Sequence, residues 1–566
     1  MSLPLIAALV LVVLALGYRL YGGFIARQYA LDPHAVTPAH AHEDGVDFVP
    51  TGRFYLFSQH FSAIAAAGPI AGPILAVQQF GWAPALAWIM VGVVFIGAVH
   101  DFSTLVASVR HGGQSIAEVV RQNLGQRAAL ALLIFIWVAL IYVVVAFVDV
   151  TSSTFVSGDV ELKGLEFRFN PGGAVAFSSS TYLVLAVVMG VVQRLWKPPL
   201  WLVTVIFVPA TLGLVWAGTQ VSTLILLDAR TWAVLILAYC FVASLTPVWV
   251  LLQPRGYLGG FVLYAALAVG VIGIFFGGFD IEQPAFKGFD SAAGPMFPFL
   301  FVTIACGACS GFHGLVCSGT TSKQIDRETH CHAVGYGAML MEGFVAVIAL
   351  ATIMVALPAD IAGKGPGAVY GLGLGRFLTV MLGDDMAAFA LTFGAMAFST
   401  FVFDTLDVST RLGRYILQEL LGRRLPVLQT RSGAVIATAI TCGVPLAFVL
   451  TAPTGSYRLF WSLFGTSNQL LAALSLLGIT VWLRRQGRRH AYTFWPMLFV
   501  MAVTLTALVE QAWQGLTGGT GVAWVNGAVS VLLLGLAAVL GIEAARAWRL
   551  PAVGSTGPAP SGTMAR

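Results

Sequence analysis

Charged residues are scarce in this chain, and that scarcity limits what the protein can be. Asp, Glu, Lys and Arg make up 10% of its 566 residues, whereas 58% are hydrophobic. Soluble proteins carry about 25% charged residues, so the composition excludes a set of soluble domains. The charges also fall between apolar runs of about 18 to 25 residues, the length that a bilayer core requires. The sequence therefore predicts an all-α polytopic membrane protein.

The signatures of several other classes of protein are missing. The sequence contains no Walker ATP motif, no HExxH zinc motif and no GxSxG nucleophile motif. We therefore predict a protein that is not an enzyme, with no catalytic residues and no cofactor. Its six cysteines lie mostly inside apolar runs, unlike those of an extracellular disulfide framework. The net charge of +5 is expected to reflect membrane topology and not nucleic-acid binding.

About fifteen apolar runs are candidate transmembrane helices within a single domain, residues 1–550. Met1 to Leu16 lacks the basic region and cleavage site of a signal peptide, so we expect a retained first helix. Residues 551–566 are expected to form a disordered cytoplasmic tail. The runs lie near 3–25, 60–80, 84–109, 128–150, 181–195, 199–218, 231–253, 257–279, 297–318, 335–357, 386–404, 433–452, 459–483, 493–514 and 522–546.

Basic residues fall in alternate connections between these runs. The stretch from Arg411 to Arg431 is one example, whereas the intervening connections are poor in Lys and Arg or are acidic, as around Asp280 and Asp290. By the positive-inside rule, the amino terminus is then periplasmic or extracellular and the carboxyl terminus cytoplasmic.

Residues 60–80 form an apolar run that two Gly-Pro pairs interrupt. Proline lacks an N–H and clashes with the carbonyl one turn back, so an unwound patch is expected over Gly68, Pro69, Gly72 and Pro73. In lipid, free backbone groups cost several kcal/mol each, which is tolerated only where the patch is buried in protein or lines a polar cavity. A kinked structural helix is the alternative.

A second interrupted run, Trp232 to Gln253, contains Ser244-Leu-Thr-Pro247 and comes five runs later. An odd offset makes the two runs cross the membrane in opposite directions, as in inverted repeats whose broken helices frame a binding site. We therefore expect two paired five-helix units with flanking helices. The expected parts are helix 3–25, units 60–218 and 231–404, and additional helices over 433–546.

Seven segments of the chain carry a further indication. They are HFSAIAAAGPIAGP (60–73), VHDFSTLVASVRHGGQS (99–115), SLTPVWVLLQPRGYL (244–258), FHGLVCSGTTSKQI (312–325), VGYGAMLMEGFVA (334–346), TLDVSTRLGRYILQ (405–418) and LFGTSNQLLAAL (463–474). In this order they resemble the carbon starvation protein A family. The resemblance implies a bacterial inner-membrane importer of peptides or pyruvate, used in carbon starvation. It also implies proton symport for the pyruvate members and a fold related to inverted-repeat amino-acid transporters.

An importer of a small carboxylate must hold that carboxylate in a low-dielectric site. Unwound helices offer free N–H groups and the positive end of a helix dipole. We therefore predict substrate or ion contacts in the two interrupted runs, at Gly68, Pro69, Gly72, Pro73, Ser244, Thr246 and Pro247.

Asp101 and Glu342 are carboxyl groups inside apolar runs, where an ionisable residue is costly and usually faces a cavity or a partner. We predict that they carry the coupling proton, with His60 and His313 as candidate relay members. The alternative for a carboxylate is a structural ion pair, for example with Arg110 or Lys323.

Ser318, Thr320 and Thr321 end the run at 297–318 and supply hydroxyl groups. In the related inverted-repeat transporters, the corresponding helix lends hydroxyls to a sodium site. A sodium-coupled carboxylate or amino-acid transporter is thus an alternative to proton coupling, although helix-end hydroxyls frequently only satisfy backbone groups. A membrane-embedded nutrient sensor is a further alternative, and the oligomeric state is left open.

Two polar groups receive structural interpretations. Cys306 and Cys317 would lie about 16 Å apart on one helix, too far for a single zinc ion, so no metal site is predicted. Asp404, Asp407 and Arg411 follow helical spacing, as does Arg414, and are expected on a solvated interfacial helix or gate latch with Asp407 paired to Arg411. Interhelical hydrogen bonds are expected from Asn468 and Gln469.

Overall fold

The computed structural model describes residues 2–45, 47–158, 169–422, 425–453, 457–518 and 521–550. The expected tail at 551–566 lies outside these residues. The first helices are α1 (Leu3–Leu16), α2 (Gly23–Tyr29), α3 (Pro38–Ala41), α4 (Arg53–Ile64), α5 (Gly68–Phe80), α6 (Trp82–Gly92), α7 (Ala98–Arg110), α8 (Ile116–Leu124), α9 (Gln126–Thr154), α10 (Pro171–Trp196), α11 (Leu200–Gln220), α12 (Ala229–Leu245) and α13 (Leu252–Phe276).

A two-stranded antiparallel sheet, β1 (Asp290–Ser291) and β2 (Gly294–Pro295), precedes the remaining helices. These are α14 (Met296–Thr303), α15 (Gly311–Gly319), α16 (Ala338–Met354), α17 (Pro358–Ile361), α18 (Pro366–Leu382), α19 (Ala387–Gly422), α20 (Arg431–Thr451), α21 (Tyr457–Arg485), α22 (Ala491–Thr517) and α23 (Gly521–Trp548). Short π-helical segments at Gly17–Gly22, Val93–Gly97 and His332–Gly337 lead into α2, α7 and α16.

Twelve described helices are long and apolar enough to cross a membrane, or thirteen if α4 and α5 count as one bent span. Two of the predicted runs account for the difference from about fifteen. The run at 231–253 yields only the 17-residue α12. The run at 297–318 is divided into α14 and α15.

The first interrupted run is broken, but earlier than predicted. α4 ends at Ile64, α5 begins at Gly68, and the two helices meet at 44°. The predicted unwound patch over Gly68 to Pro73 is therefore wrong in position. Pro69 lies in the first turn of α5, where no N–H is needed, and Pro73 lies inside that helix. The non-helical residues are 65–67.

The second break is in a different run from the one predicted. α12 stops at Leu245, and Thr246 to Leu251 form a turn that leads to α13, with Pro247 exposed. The discontinuous helix lies instead at α14 and α15, which residues 304–310 separate. Gly307 in this segment is the sequence feature that permits such a break.

The two breaks pack directly against each other through glycine. A Cβ on Gly72 would lie 2.7 Å from the carbonyl oxygen of Thr303, and one on Gly68 would overlap the Sγ of Cys306. A Cβ on Gly307 would lie 3.5 Å from the Cα of Pro69. Small residues at this crossing therefore let the two discontinuous helices approach closely.

Connections between the helices contact one another at two ends of the helix bundle. At one end, connections rich in basic residues meet, with Arg110 paired to Glu328 at 2.6 Å and Lys323 to Asp47 at 3.6 Å. At the other end, Lys287 donates its backbone N–H to Phe80 O. The alternation of basic connections and the assignment of one end to the cytoplasm stay predictions.

Candidate functional site

Three charged side chains from separate helices meet inside the bundle. The Nδ1 of His313 lies 2.8 Å from Oδ2 of Asp101, and its Nε2 lies 3.2 Å from Oε2 of Glu342. All three side chains are at most 1% exposed. We call this group the histidine cluster, and it joins α7, α15 and α16.

Local chain geometry brings these groups together. His313 is the third residue of α15, so the break at residues 304–310 places it deep in the bundle. Gly314 leaves room for the ring of His100, since a Cβ there would lie 3.2 Å from that ring. His100 donates from Nδ1 to the second oxygen of Asp101 at 2.8 Å. Asp101 is therefore held from both sides by histidines.

The two carboxylates are held to different degrees. Both oxygens of Asp101 have a histidine nitrogen at 2.8 Å. Neither oxygen of Glu342 has a hydrogen-bond partner within the described part of the chain, and Oε2 has only its 3.2 Å contact with Nε2 of His313. A histidine donates from both nitrogens only when protonated, so His313 and Glu342 form a place where one proton can be held or passed on.

The structure brings three of the predicted residues, Asp101, Glu342 and His313, into one cluster. The sequence had indicated them only as individual candidates. The alternative ion pair of Asp101 with Arg110 is wrong, because Arg110 pairs with Glu328. His100 was missed as a participant, and its position next to Asp101 was the available signal.

His60 is also buried but makes different contacts. Its Nδ1 lies 2.9 Å from the hydroxyl oxygen of Thr321, and its Nε2 lies 3.8 Å from the Sγ of Cys317. It thus links α4 to the carboxyl-terminal end of α15 and to the turn that follows this helix.

The hydroxyl groups at the end of α15 are used within the protein. Ser318 donates to Gly314 O at 2.6 Å and accepts from the N–H of Ile116 at 3.0 Å. Thr320 is exposed. Among the described residues, no group of three or more His, Cys, Asp or Glu has the arrangement of a metal site.

Neighbouring helices satisfy the unwound backbone between α14 and α15. Asn468 accepts from the N–H of Phe312 at 2.9 Å, and Gln469 donates to Phe301 O at 2.8 Å. Trp461 donates to Thr303 O at 3.1 Å. The interhelical hydrogen bonds expected of Asn468 and Gln469 are present, and they fix the start of the helix that carries His313.

A second charged group, the arginine cluster, joins α13 and α19. Nη2 of Arg255 lies 2.5 Å from Oδ1 of Asp404 and 3.1 Å from Oδ2 of Asp407. The expectation of a solvated helix with Asp407 paired to Arg411 is therefore wrong. Arg411 on α19 donates instead to the carbonyls of Ala243 and Thr246. Its side chain reaches the end of α12, where the last carbonyls have no helical partner.

The fold and the two clusters define a multi-pass helical membrane protein with a broken helix crossing and buried charge at its centre. The chain belongs to the carbon starvation protein CstA family, whose model matches residues 3–363 and 358–507.

Curated relatives match most of the chain. The peptide transporter CstA of Campylobacter jejuni is 32% identical over 89% of this chain and 80% of its own length. The peptide transporter CstA of Bacillus subtilis is 32% identical over 95% of each chain. The pyruvate/proton symporter BtsT of Escherichia coli is 30% identical over 87% of this chain and 79% of its own.

Among solved structures, a mutant manganese transporter of Eremococcus coleocola matches with a TM-score of 0.43 and 13% identity, over 88% of this chain and 97% of that one.

Proposed function

We propose that this protein is a secondary active importer of peptides or pyruvate, driven by protons and located in a bacterial inner membrane, where it serves in carbon starvation. The observation that carries the proposal is His313 placed between Asp101 and Glu342, in a buried cluster beside a broken helix. The relatives named as peptide transporters and as a pyruvate/proton symporter support the same reading. Sodium coupling and a sensor role are the alternatives that the experiment below decides.

The substrate carboxylate is proposed to bind where the two breaks cross. The amino-terminal end of α5, from Gly68 to Pro73, begins at this crossing and supplies the positive end of a helix dipole. Cys306 at the facing break is only half-buried, and its Sγ lies directly against Gly68. Ser244, Thr246 and Pro247 lie at the end of α12, away from the crossing, as a second candidate contact.

The fold is proposed to contain two inverted five-helix units. Six described helical segments separate the two broken helices if α6 and α7 count as one and the nine-residue α8, too short to span a bilayer, is left out, so the broken helices run in opposite directions if each of the six crosses. On this pairing the units are 53–220 and 296–451. The second unit thus starts later than the 231–404 suggested by the Ser244 motif.

A coupled proton has a clear electrostatic purpose. An anion entering a cell with a negative interior is opposed by about 2.3 kcal/mol per charge per 100 mV, and one co-transported proton cancels that charge. In the histidine cluster this proton passes between Nε2 of His313 and Oε2 of Glu342, which lie 3.2 Å apart. Asp101 keeps the ring oriented through Nδ1.

Proteoliposomes test the proposal directly. Uptake of labelled pyruvate and of a dipeptide is measured with a proton gradient and, separately, a sodium gradient. We expect accumulation of at least one substrate under the proton gradient alone. Accumulation under the sodium gradient alone would overturn proton coupling, and no accumulation of either substrate under either gradient would overturn import.

The proton site has its own variants. Glu342→Gln and Asp101→Asn should abolish gradient-driven accumulation but spare counterflow exchange, which needs no net proton movement. Glu328→Gln, which removes a buried carboxylate paired with Arg110, is the matched control and should keep coupling. Wild-type accumulation in both cluster variants would contradict the assignment.

A further inference from the structure

Arg255 is the centre of the arginine cluster and is fully buried. Its side chain is 0% exposed, and its Nη2 contacts one oxygen from each of two aspartates. Tyr239 donates its hydroxyl to Asp407 at 2.8 Å, and Tyr182 donates to the backbone carbonyl of Arg255 at 2.8 Å. A guanidinium stays charged at any physiological pH, so this cluster holds a permanent positive charge inside the bundle.

The guanidinium is incompletely used. Within the described residues, no side-chain nitrogen of Arg255 has a hydrogen-bond partner, and Nη2 makes only its two ion-pair contacts. An arginine fork binds a carboxylate best with two parallel N–H groups, and neither aspartate provides that arrangement here. Buried donors without partners are costly, which marks this side chain as a group that gains from an additional acceptor.

The two aspartates differ in their access to solvent. Asp407 is 4% exposed, whereas Asp404 is 25% exposed although it makes the shorter contact. Glycines of α13 face Asp404 and Ser62: a Cβ on Gly259 would lie 3.1 Å from Oδ2 of Asp404, and one on Gly260 would lie 3.8 Å from Ser62 Oγ. Ser62 lies on α4, three residues before the break at residues 65–67. The exposed aspartate of the cluster is therefore close to the helix that ends at this break.

We propose that Arg255 is a second binding site for the carboxylate group of the transported substrate, separate from the crossing of the two breaks, and that Asp404 occupies this site when the substrate is absent. The incoming carboxylate takes the place of Asp404 beside Nη2 and adds an acceptor for Nη1 or Nε. Asp407 stays in place because Tyr239 holds it. The ligand class is a small monocarboxylate, such as a short 2-oxo acid or the carboxyl end of a short peptide. The site rests on the proposed function, since it concerns the substrate of that import.

Other charged groups around the cluster are already occupied. Arg414 donates to Ser244 O at 2.6 Å, and Arg411 donates to carbonyls at the end of α12. These arginines hold α12 against α19, and each donates to a carbonyl from one Nη although its Nε has no partner among the described residues. Arg255 differs from both because none of its side-chain nitrogens has a hydrogen-bond partner there.

Calorimetric titration of the purified full-length protein in detergent, without any ion gradient, tests the site. The probes are pyruvate, dialanine and the neutral amide of pyruvate. We expect Arg255→Lys to weaken binding of the preferred carboxylate by about tenfold, since a charge-assisted hydrogen bond is lost while the charge stays. Asp404→Asn should tighten that binding by about tenfold, because it removes the competing charge. The amide should bind no more weakly to Arg255→Lys than to the wild type.

Arg376 and Asp360 provide the matched control. They form an ion pair of 2.8 Å at the other end of the bundle, and Arg376→Lys and Asp360→Asn should leave the carboxylate affinity unchanged. Each variant is used only as monodisperse protein, and the tightening in Asp404→Asn is a gain that misfolding does not produce. Wild-type affinity in Arg255→Lys, or weaker binding in Asp404→Asn, would overturn the site.

The same preparations, reconstituted, separate this inference from the proposed function. If carboxylate binding depends on Arg255 but no gradient drives accumulation, the import proposal fails and the site stands. If proton-driven uptake occurs with an unchanged affinity in Arg255→Lys, the site fails and the import proposal stands.

Discussion

The histidine cluster and the arginine cluster have the same plan but different chemistry. In each, a buried basic side chain lies between two carboxylates from other positions of the fold. The base of the first is an imidazole, which can give up its proton near neutral pH, whereas the base of the second is a guanidinium, which cannot. The comparison teaches that the base of a buried ion group decides whether that base itself can carry a proton. The guanidinium of the arginine cluster keeps its charge and is suited to holding an anion.

The largest expected effect comes from removing the titratable base of the histidine cluster. In His313→Gln, proton-driven accumulation should fall to the level of passive equilibration, because no base then links Asp101 with Glu342. Uptake in proteoliposomes measures this result, and counterflow exchange should persist. His490→Gln, which changes a histidine outside the cluster, is the control and should not lower proton-driven accumulation. Retained accumulation in His313→Gln would break the distinction between the clusters.

A somewhat smaller effect is expected at the crossing of the breaks. Gly72→Ala places a Cβ 2.7 Å from the backbone oxygen of Thr303, which cannot turn aside. Such overpacking typically costs about 1–3 kcal/mol, so the midpoint of thermal unfolding should fall and transport should fall with it. Gly535→Ala, where a Cβ would have no atom within 4 Å, is the control. Equal unfolding midpoints for both variants would show that the breaks do not need this close approach.

Asn468 sharpens the comparison because it supports only the first cluster. Asn468→Ala leaves the N–H of Phe312 without its acceptor, and a buried donor without a partner costs about 1–3 kcal/mol. Unfolding should start at a lower temperature and proton coupling should weaken, while carboxylate affinity at Arg255 should be unchanged. A lower carboxylate affinity without loss of coupling would contradict the separation of the clusters.

The smallest effect is expected for an exposed ion pair, Glu118 with Arg121 at successive turns of α8. Hydrogen bonding from the Arg121 guanidinium lowers the pKa of Glu118 below its usual 4.5. The pair therefore adds stability above that value and loses it as the pH falls through the lowered pKa. Since solvent screens the pair, Arg121→Gln should cost under about 1 kcal/mol at neutral pH and nothing in strong acid, as thermal unfolding at the two pH values would show. A large loss of stability at neutral pH would contradict the expectation that solvent screening makes this pair weaker than the buried clusters.

Several features of the site were predictable from the sequence, and the reasons are local. An ionisable side chain such as Asp101 or Glu342 inside an apolar run stands out because its burial is costly wherever its partner lies. Gly-Pro pairs indicated a break in residues 60–80, and α4 and α5 are indeed separate helices. The position of the break was not predictable from proline alone, since Pro69 and Pro73 are both accommodated within α5.

The remaining features depend on packing that one run does not reveal. Pro247 suggested a second break, but it follows the end of α12, and the actual break at residues 304–310 is stabilised by Trp461, Asn468 and Gln469 from a distant helix. Asp404 and Asp407 suggested a solvated helix because their partner, Arg255, is about 150 residues away in the chain and lies in the first turn of a different span.

The sequence by itself determined that this protein crosses a membrane many times and that a few carboxyl groups lie inside it, because span length and the cost of buried charge are properties of single segments. Only the tertiary structure decided which base each carboxyl meets. His313 and Asp101 are 212 residues apart and lie 2.8 Å from each other, a contact set by how the broken helices pack. That choice of partner, histidine in one cluster and arginine in the other, separates the part of the molecule proposed to move protons from the part proposed to bind the substrate.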